Sequence, residues 1–176
     1  MPNTAPSTSP DQDFYFREIG PLDAAFIQKL TNTPGWLQHI GDRGTRTIEG
    51  SLAYIERAYT EPYARVGFGL WAVVNRSSQQ PMGVCGLVSR PDAPAPDLGF
   101  ALLPEFEGRG WIRSASRIVL SHAWEHLHLT LVDAYANEDN ARSRKTLEAL
   151  GFACLSCAEH PLFGAVVCHY RLTFPN

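Results

Sequence analysis

The sequence predicts a single mixed α/β domain, and three observations support this prediction. Short apolar runs of strand length alternate along the chain with segments whose apolar residues recur every three or four positions. No internal repeat or domain boundary interrupts the pattern. With 176 residues, 44% of them hydrophobic, the chain can bury one sizeable core. We therefore predict a β-sheet flanked by helices over residues 14–176, preceded by a disordered tail over residues 1–13.

The first quarter of the domain predicts a strand, a helix, a loop and a second helix. The strand covers residues 14–19. The helix over 21–31 has one apolar face, formed by Leu22, Phe26 and Leu30. Residues 34–45 contain glycine, tryptophan and charged side chains and predict a loop. The second helix ends at residue 59 and begins at one of two hydroxyl residues, Thr47 or Ser51.

The middle of the chain predicts three strands in succession. Residues 70–74 and 84–88 are apolar runs of strand length. The proline-rich segment 91–96 forms a stiff connection. It leads into the strand 97–103, which Pro104 closes because proline rarely continues inside a ladder. The later strands are predicted over residues 129–136, 153–156 and 165–174.

A glycine turn follows the strand that Pro104 closes. Gly108 and Gly110 precede a helix over 111–126, whose apolar face is formed by Ile112, Ala115, Val119, Ala123 and Leu127. The first N–H groups of a helix lack partners and carry the positive end of its dipole. Glycines let the chain bend so that these donors point at one anion, and Arg109 and Arg113 add charge. The turn therefore predicts a phosphate site, with an ordinary glycine-rich helix entry as the alternative.

A second helix carries a polar group on an apolar face. Ser143, Leu147 and Leu150 fall at positions i, i+4 and i+7 and share one side. Asn140 is the predicted N-cap, and Gly151 ends the helix. The hydroxyl on a leucine face indicates a functional role. The alternative is a cap followed by a small first-turn residue.

These two segments resemble motifs of the GNAT superfamily of N-acetyltransferases, in the branch that contains the N-terminal acetyltransferases of ribosomal proteins. Residues 108–111 match the pyrophosphate loop, and residues 140–152 match the later Asn-x-x-Ser … Leu-Glu-x-Leu-Gly-Phe motif. Weaker similarity runs over residues 14–172. The loop departs from the family at Glu107, which brings a like charge near a pyrophosphate, and at Ile112, which crowds the first helical turn.

The resemblance implies a mostly antiparallel sheet with a splayed centre that binds acetyl-CoA, and an amine that attacks the thioester directly. It implies that the backbone of one strand holds the pantetheine and polarises the carbonyl, through Phe100, Ala101 and Leu102. It implies that the turn holds the pyrophosphate, through Gly108, Arg109, Gly110, Trp111, Ile112 and Arg113. Asn140 would steady the pantetheine arm.

By the same resemblance, Ser143 would protonate the leaving thiolate and Asp97 would act as the base, through a water molecule. Tyr135 is a reserve acid. The acceptor would be a protein N-terminus, a small amine or an amine antibiotic. Its entrance would lie between two loops, one around Trp36, Asp42 and Arg43 and the other over residues 159–163. A homodimer is compatible with this interpretation. The alternative from another class is a non-catalytic domain that binds or senses acyl-CoA.

Two other motifs point to metal chemistry. His122-Ala123-Trp124-Glu125-His126 matches the His-x-x-Glu-His signature of inverted zinc peptidases. Only 50 residues follow it, so we interpret His126 as a packed histidine that caps the helix. Cys154 and Cys157 form a lone Cys-x-x-Cys on a predicted strand, where residues three apart face opposite sides. We therefore expect buried thiols and no stoichiometric zinc.

Composition excludes further classes of function. The formal net charge of −3 argues against general nucleic-acid binding. No apolar run approaches the roughly 20 residues that span a bilayer. The tail is rich in proline, serine and threonine and lacks the basic start and apolar stretch of a signal peptide. We therefore expect a cytoplasmic protein whose four cysteines are thiols.

Overall fold

The computed structural model describes residues 5–91, 93–160 and 165–175, except for the side chain of residue 160. Within these residues, seven strands form one sheet in the order β1-β2-β3-β4-β5-β7-β6. Neighbouring strands are antiparallel except β4 and β5, which are parallel. The strands are β1 Phe14–Arg17, β2 Leu70–Asn75, β3 Pro81–Val88, β4 Asp97–Leu102, β5 Leu131–Asn137, β6 Ala153–His160 and β7 Ala165–Thr173. The predicted mixed, mostly antiparallel sheet is therefore confirmed.

Six α-helices flank the sheet in the described part of the chain. They are α1 Ala24–Thr31, α2 Pro34–His39, α3 Ile48–Ile55, α4 Glu61–Val66, α5 Trp111–Glu125 and α6 Ala141–Ala149. A π-helical turn, Glu56–Thr60, joins α3 to α4. The prediction of a continuous loop over 34–45 is wrong, because α2 lies there. The Thr33 hydroxyl accepts a hydrogen bond from the Trp36 N–H and Pro34 fixes the first turn, so a short helix begins at this point.

The strand register gives the sheet two distinct faces. On one face Cys85 contacts Ser116 of α5, with 3.6 Å between sulfur and oxygen. We call this side the α5 face. α6 lies on it as well, since Arg144 donates to the Tyr170 hydroxyl at 3.0 Å. The helices that precede β2 lie on the opposite side, the far face, where Arg17 pairs with Asp23 at 2.7 Å.

Aromatic packing anchors α5 to the sheet. Trp71 of β2 is fully buried. Its ring meets Phe16 edge-on at a centroid distance of 6.5 Å and His122 of α5 at 5.9 Å. On the far face, Ile27 and Leu30 are among the buried residues of α1, whereas Leu22 is fully exposed. The predicted apolar face of this helix is therefore wrong at Leu22, because Pro21–Asp23 is a separate 3₁₀ turn.

Residues 5–13 contact the body of the domain. Arg76 donates to the Gln12 carbonyl at 2.8 Å and to the Thr8 hydroxyl at 3.1 Å, and Pro6 is buried. These contacts were not foreseen for the tail. Its disorder in solution, and the domain boundary at residue 14, stay predictions. In the described part of the chain, every helix is too short or too polar to cross a membrane.

Candidate active site

The parallel strands β4 and β5 meet at one point and then separate. Asp97 and Asp133 are the one Cα pair between them among the described residues. β4 stays paired with β3 along its length, and β5 stays paired with β7. The two inner edges beyond this pair therefore face a gap, which we call the β4–β5 slot. Unpaired strand edges present backbone donors and acceptors to an extended ligand.

The residues expected to hold pantetheine border this slot. Phe100, Ala101 and Leu102 are half-buried and lie at the end of β4 where the strands have parted. Their outer edge is fixed by β3. A Cβ on Gly83 would clash with the Ala101 carbonyl, so glycine lets β3 approach closely. The backbone groups of these residues on the slot side can therefore pair with an amide-containing arm.

The glycine turn opens α5 at the mouth of the slot. Gly108 and Gly110 have φ angles of 75° and 77°, a left-handed conformation that favours glycine. Gly110 is the N-cap of α5 and supplies no side-chain acceptor. Trp111 packs edge-on against Phe14, at 6.1 Å between ring centroids, and so points away from the turn. The first N–H groups of α5 are left to bind an anion, so the turn fits a pyrophosphate.

The two departures from the family pattern are accommodated. Glu107 forms an ion pair with Arg142 of α6, which compensates the like charge expected to repel a pyrophosphate. Ile112 packs against the hydrophobic core instead of crowding the turn. Arg109 and Arg113 are exposed beside the same turn. Both departures are therefore engaged in contacts within the protein.

We predict that Arg142→Ala weakens acetyl-CoA binding by about two- to fivefold at low salt, because it exposes the Glu107 carboxylate to the phosphates. The effect should shrink at high salt, where exposed charges are screened. Calorimetry at two salt concentrations measures both. Glu107→Gln added to Arg142→Ala should restore affinity. Unrestored binding in the double variant would contradict charge compensation and indicate that Arg142 contacts the cofactor itself.

Asn140 and Ser143 occupy the first turn of α6, across the slot from the glycine turn. Asn140 is the N-cap, as predicted, and its Oδ1 accepts a hydrogen bond from the Ser143 N–H at 3.1 Å. The Ser143 hydroxyl has no hydrogen-bond partner among the described residues. Leu147, one turn later on the same side, is buried and anchors the helix. The hydroxyl is therefore available to a ligand.

Asp97 lies at the closed end of the slot, on the far face. Both of its oxygens are bound by Arg90, at 2.6 and 3.1 Å. Burial raises the pKa of the Asp97 carboxyl above its ordinary value, although Arg90 acts in the opposite direction. Arg90 itself is half-exposed and reaches over the Tyr135 ring, 5.9 Å from its centroid. The carboxylate predicted as the base is therefore already held in an ion pair.

A polar cluster that the sequence analysis missed lies next to Asp97. β5 pairs with β7 so that Asp133 lies opposite Arg171 and Tyr135 lies opposite His169. Arg171 donates to both Asp133 oxygens, at 2.7 and 2.9 Å. The Tyr135 and His169 rings stack with 4.8 Å between centroids. We call these four residues the β5–β7 cluster. Polar residues at alternate positions of two predicted strands were the available signal.

The α1–α2 hairpin contacts the ends of both strands that border the slot. Lys29 of α1 pairs with Glu105, just after β4, at 2.5 Å. His39 of α2 lies 3.5 Å from Asp139, just after β5. Trp36 lies between Lys29 and His39 in the sequence, and its side chain is buried, with 5% of its surface exposed. The hairpin therefore joins the two sides of the slot.

The two loops predicted to flank the acceptor entrance differ in how far the structure describes them. Asp42 pairs with Arg46 in its own loop at 3.1 Å, and Arg43 donates to the Ile40 carbonyl at 3.1 Å. Asp42 and Arg43 therefore contact their own loop, and in this region it is α2 that contacts the end of a strand bordering the slot. Glu159 lies in β6 and is exposed. The other residues of that predicted loop, 160–163, lie outside the described side chains.

The His-x-x-Glu-His motif is a packing feature of α5. His122 is the buried histidine, edge-on to Trp71, and burial lowers its pKa. His126 stacks on it at 4.9 Å and ends the helix, but its side chain is exposed, so the prediction of a packed His126 is wrong. Glu125 accepts a hydrogen bond from Ser121 at 2.9 Å. The motif therefore does not form a three-ligand site in the described structure.

The cysteines depart from the prediction of four thiols, and Cys154 and Cys157 are exposed instead of buried. Cys157 and Cys168, directly opposite each other on β6 and β7, form a disulfide. A bulge between Cys154 and Ser156 turns the Cys154 sulfur to within 3.8 Å of the Cys157 sulfur, so the expectation that these residues face opposite sides is wrong. Cys85 is a buried thiol whose pKa burial raises to about 12. Because two of the three clustered sulfurs are bonded, we assign no metal to them. The absence of zinc stays a prediction that elemental analysis can check.

Comparisons with known proteins agree with this geometry. A family model described as an acetyltransferase (GNAT) domain matches residues 13–153. The uncharacterized N-acetyltransferase YjdG of Bacillus subtilis (strain 168) is 25% identical over 103 residues, which is 58% of this chain and 61% of that protein. This chain thus spans less than two thirds of that relative's length.

Solved structures share the fold. A ribosomal-protein-S5-alanine acetyltransferase from Vibrio fischeri superposes with a TM-score of 0.79 at 21% identity, covering 95% of this chain and 96% of that one. A spermidine N-acetyltransferase from Vibrio cholerae, solved in complex with CoA and spermine, gives a TM-score of 0.76 at 15% identity, with coverage of 92% and 95%. At such identities the likeness concerns the fold alone.

Proposed function

The chain belongs to the GNAT acetyltransferase family, and we propose that it moves an acetyl group from acetyl-CoA to a primary amine by direct attack. The observation that carries this proposal is the β4–β5 slot, which ends at a turn with two left-handed glycines. An unpaired strand edge and an anion site at its mouth match a ligand with an amide arm and a pyrophosphate.

Different residues around the slot would bind different parts of acetyl-CoA. The backbone of Phe100, Ala101 and Leu102 would pair with the pantetheine arm. The turn from Gly108 through Arg113 would hold the pyrophosphate on the first N–H groups of α5. The Asn140 Oδ1 caps α6, which leaves its amide N–H₂ group to steady the arm from the other side. Acetyl-CoA, when bound, supplies the activated acetyl group.

Two protons must move during the transfer. The incoming amine loses one, its lone pair forms the C–N bond, and the C–S bond breaks. Ser143 would then protonate the departing sulfur and regain a proton from solvent, because its hydroxyl has no hydrogen-bond partner among the described residues. Asp97 is the base proposed from the sequence, acting through water. Its ion pair with Arg90 would have to rearrange for it to accept a proton.

Two acceptor classes are compatible with the proposal, a protein N-terminus and a small amine. The solved structures of the same fold include a ribosomal-protein-S5-alanine acetyltransferase and a spermidine N-acetyltransferase. A panel of peptides with different first residues, polyamines and amine antibiotics, assayed by release of free CoA thiol, tests the function. Binding of acetyl-CoA without turnover of any amine would favour the non-catalytic alternative. The ion pair of Glu107 and the packing of Ile112 are compatible with cofactor binding and support the catalytic proposal. A cytoplasmic location stays a prediction.

We predict that Gly110→Val weakens acetyl-CoA binding at least about tenfold. The valine would strain a left-handed backbone and keep the phosphate from the first N–H groups of α5. The matched control is Gly67→Val. Gly67 also has a φ of 77°, and no atom lies within 4 Å of a Cβ at either position. Calorimetry should show the loss for Gly110→Val alone, while thermal melting shows similar strain in both. Equal affinities in the two variants would contradict the phosphate site.

A further inference from the structure

The β5–β7 cluster contains an imidazole held against a buried carboxylate. Asp133 is 1% exposed. Although burial acts to raise it, the pKa of the Asp133 carboxyl lies below its ordinary value because Arg171 and His169 stabilise the anion. His169 Nε2 lies 3.1 Å from Asp133 Oδ2. Nε2 is buried, and this contact does not meet the geometry of a hydrogen bond. The contact therefore places the Asp133 carboxylate directly beside the imidazole ring.

The cluster faces solvent on the side opposite the glycine turn. Tyr135 is 39% exposed, and the His169 side chain keeps 27% of its surface accessible. Because Nε2 is buried, the exposed part of His169 lies elsewhere on the side chain. The α5 helix and its anion site belong to the other face of the sheet. A second substrate can therefore approach the closed end of the slot from the far face while the cofactor enters from the α5 face.

We propose that His169 accepts the proton of the acceptor ammonium, at Nδ1, and that Asp133 positions the ring and stabilises the imidazolium. This inference rests on the proposed function. One proton leaves the ammonium nitrogen for His169, and the freed lone pair forms the C–N bond. The C–S bond breaks and the sulfur takes its proton from Ser143. The Ser143 oxygen then takes the second nitrogen proton through water, and His169 returns its proton to solvent. A carboxylate behind an imidazole stabilises the charge that forms in this step.

The surroundings of His169 suit this role better than those of Asp97. From β5 it faces the anion Asp133 and the ring of Tyr135, and along β7 its charged neighbour is Arg171. Its partner on β6 is Ser156, which carries no charge. Arg90 reaches over the Tyr135 ring, but it donates its hydrogen bonds to Asp97. An imidazole that acts as a general base requires one carboxylate anion beside its ring, and Asp133 is that anion.

The experiment is a pH profile of kcat/KM, from about pH 5.5 to 9.5, on an amine that the wild type acetylates. Wild type should show an acidic limb followed by a plateau. His169→Asn should lose about 10²-fold near neutral pH and should rise with pH without a plateau, as the solution supplies free amine. Asp133→Asn should lower kcat/KM on the plateau, because the imidazolium that forms loses the carboxylate beside it. Acetyl-CoA affinity should stay unchanged in both variants.

The control is His128→Asn, because His128 is exposed and has a φ of 53°, which asparagine tolerates. It should keep the wild-type profile. A wild-type profile in His169→Asn would overturn the proposal while leaving the acetyltransferase function in place. Loss of the limb in Asp97→Asn alone would do the same and assign the base to Asp97. Failure of the wild type to acetylate any amine in the panel would remove the proposed function and this inference together.

Discussion

Ser143→Ala is expected to lower kcat by about 10²-fold or more, while the affinity for acetyl-CoA stays nearly intact. General acid catalysis contributes typically ~10²–10⁴-fold, although a water molecule can replace part of a small hydroxyl's effect. The Ser143 hydroxyl has no hydrogen-bond partner among the described residues, while its backbone N–H donates to the Asn140 cap. A proton donated to a leaving thiolate matters mainly in the transition state, so kcat falls and ground-state binding does not.

The control for this prediction lies on the same helix. Thr146 donates its hydroxyl to the Arg142 carbonyl at 3.0 Å, so Thr146→Ala removes a hydroxyl that is already engaged. It should leave kcat unchanged. Steady-state kinetics and calorimetry on the two variants separate catalysis from binding. An unchanged kcat in Ser143→Ala would indicate that Ser143 is only a small residue in the first turn of α6.

Trp71→Ala is expected to lower the free energy of unfolding by about 3–5 kcal/mol. The side chain is fully buried and contacts Phe16 of β1 and His122 of α5, so its removal leaves a cavity between strand and helix. Urea denaturation followed by circular dichroism measures the change. Since α5 carries the glycine turn, we also expect weaker acetyl-CoA binding in the variant at temperatures where it is folded.

Trp124→Ala is the matched substitution. Trp124 is 45% exposed and stacks on Phe174 at 6.3 Å. Its loss should cost much less, within about 1 kcal/mol. Similar losses at positions 71 and 124 would show that the packing between β2 and α5 is not what stabilises this part of the molecule. They would also reopen the interpretation of the His-x-x-Glu-His motif as a packing feature.

The sequence predicted the fold better than the site. Long periodic segments such as α5 and α6 were found because a helical face repeats many times, and Asn140 identified a cap that the structure confirms. The short helix α2 was missed because six residues hold too little periodicity. Its signal was local, a threonine followed by proline. Leu22 was misplaced because a 3₁₀ turn changed the phase before α1 began.

The site depends on contacts between residues distant in sequence, which periodicity cannot reveal. The partners Glu107 and Arg142 lie 35 positions apart, and Asp133 and Arg171 lie 38 positions apart. A single bulge in β6 turns the Cys154 side chain to the side opposite the one that strict alternation along a strand predicts. The motif residues of the turn and of α6 nevertheless lie at the mouth of the slot. Their roles in binding and catalysis stay predictions.

Under the proposed function, the α1–α2 hairpin would connect the two substrates thermodynamically. Its contacts with Glu105 and Asp139 tie the hairpin to both sides of the slot, so a change in slot width on cofactor binding would move these helices. The acceptor would bind beside the same helices, and the two affinities are then linked reciprocally. Acceptor titrations with and without CoA should give different dissociation constants. Equal constants would show that the hairpin is a rigid frame, and the enzyme would then bind its substrates in random order.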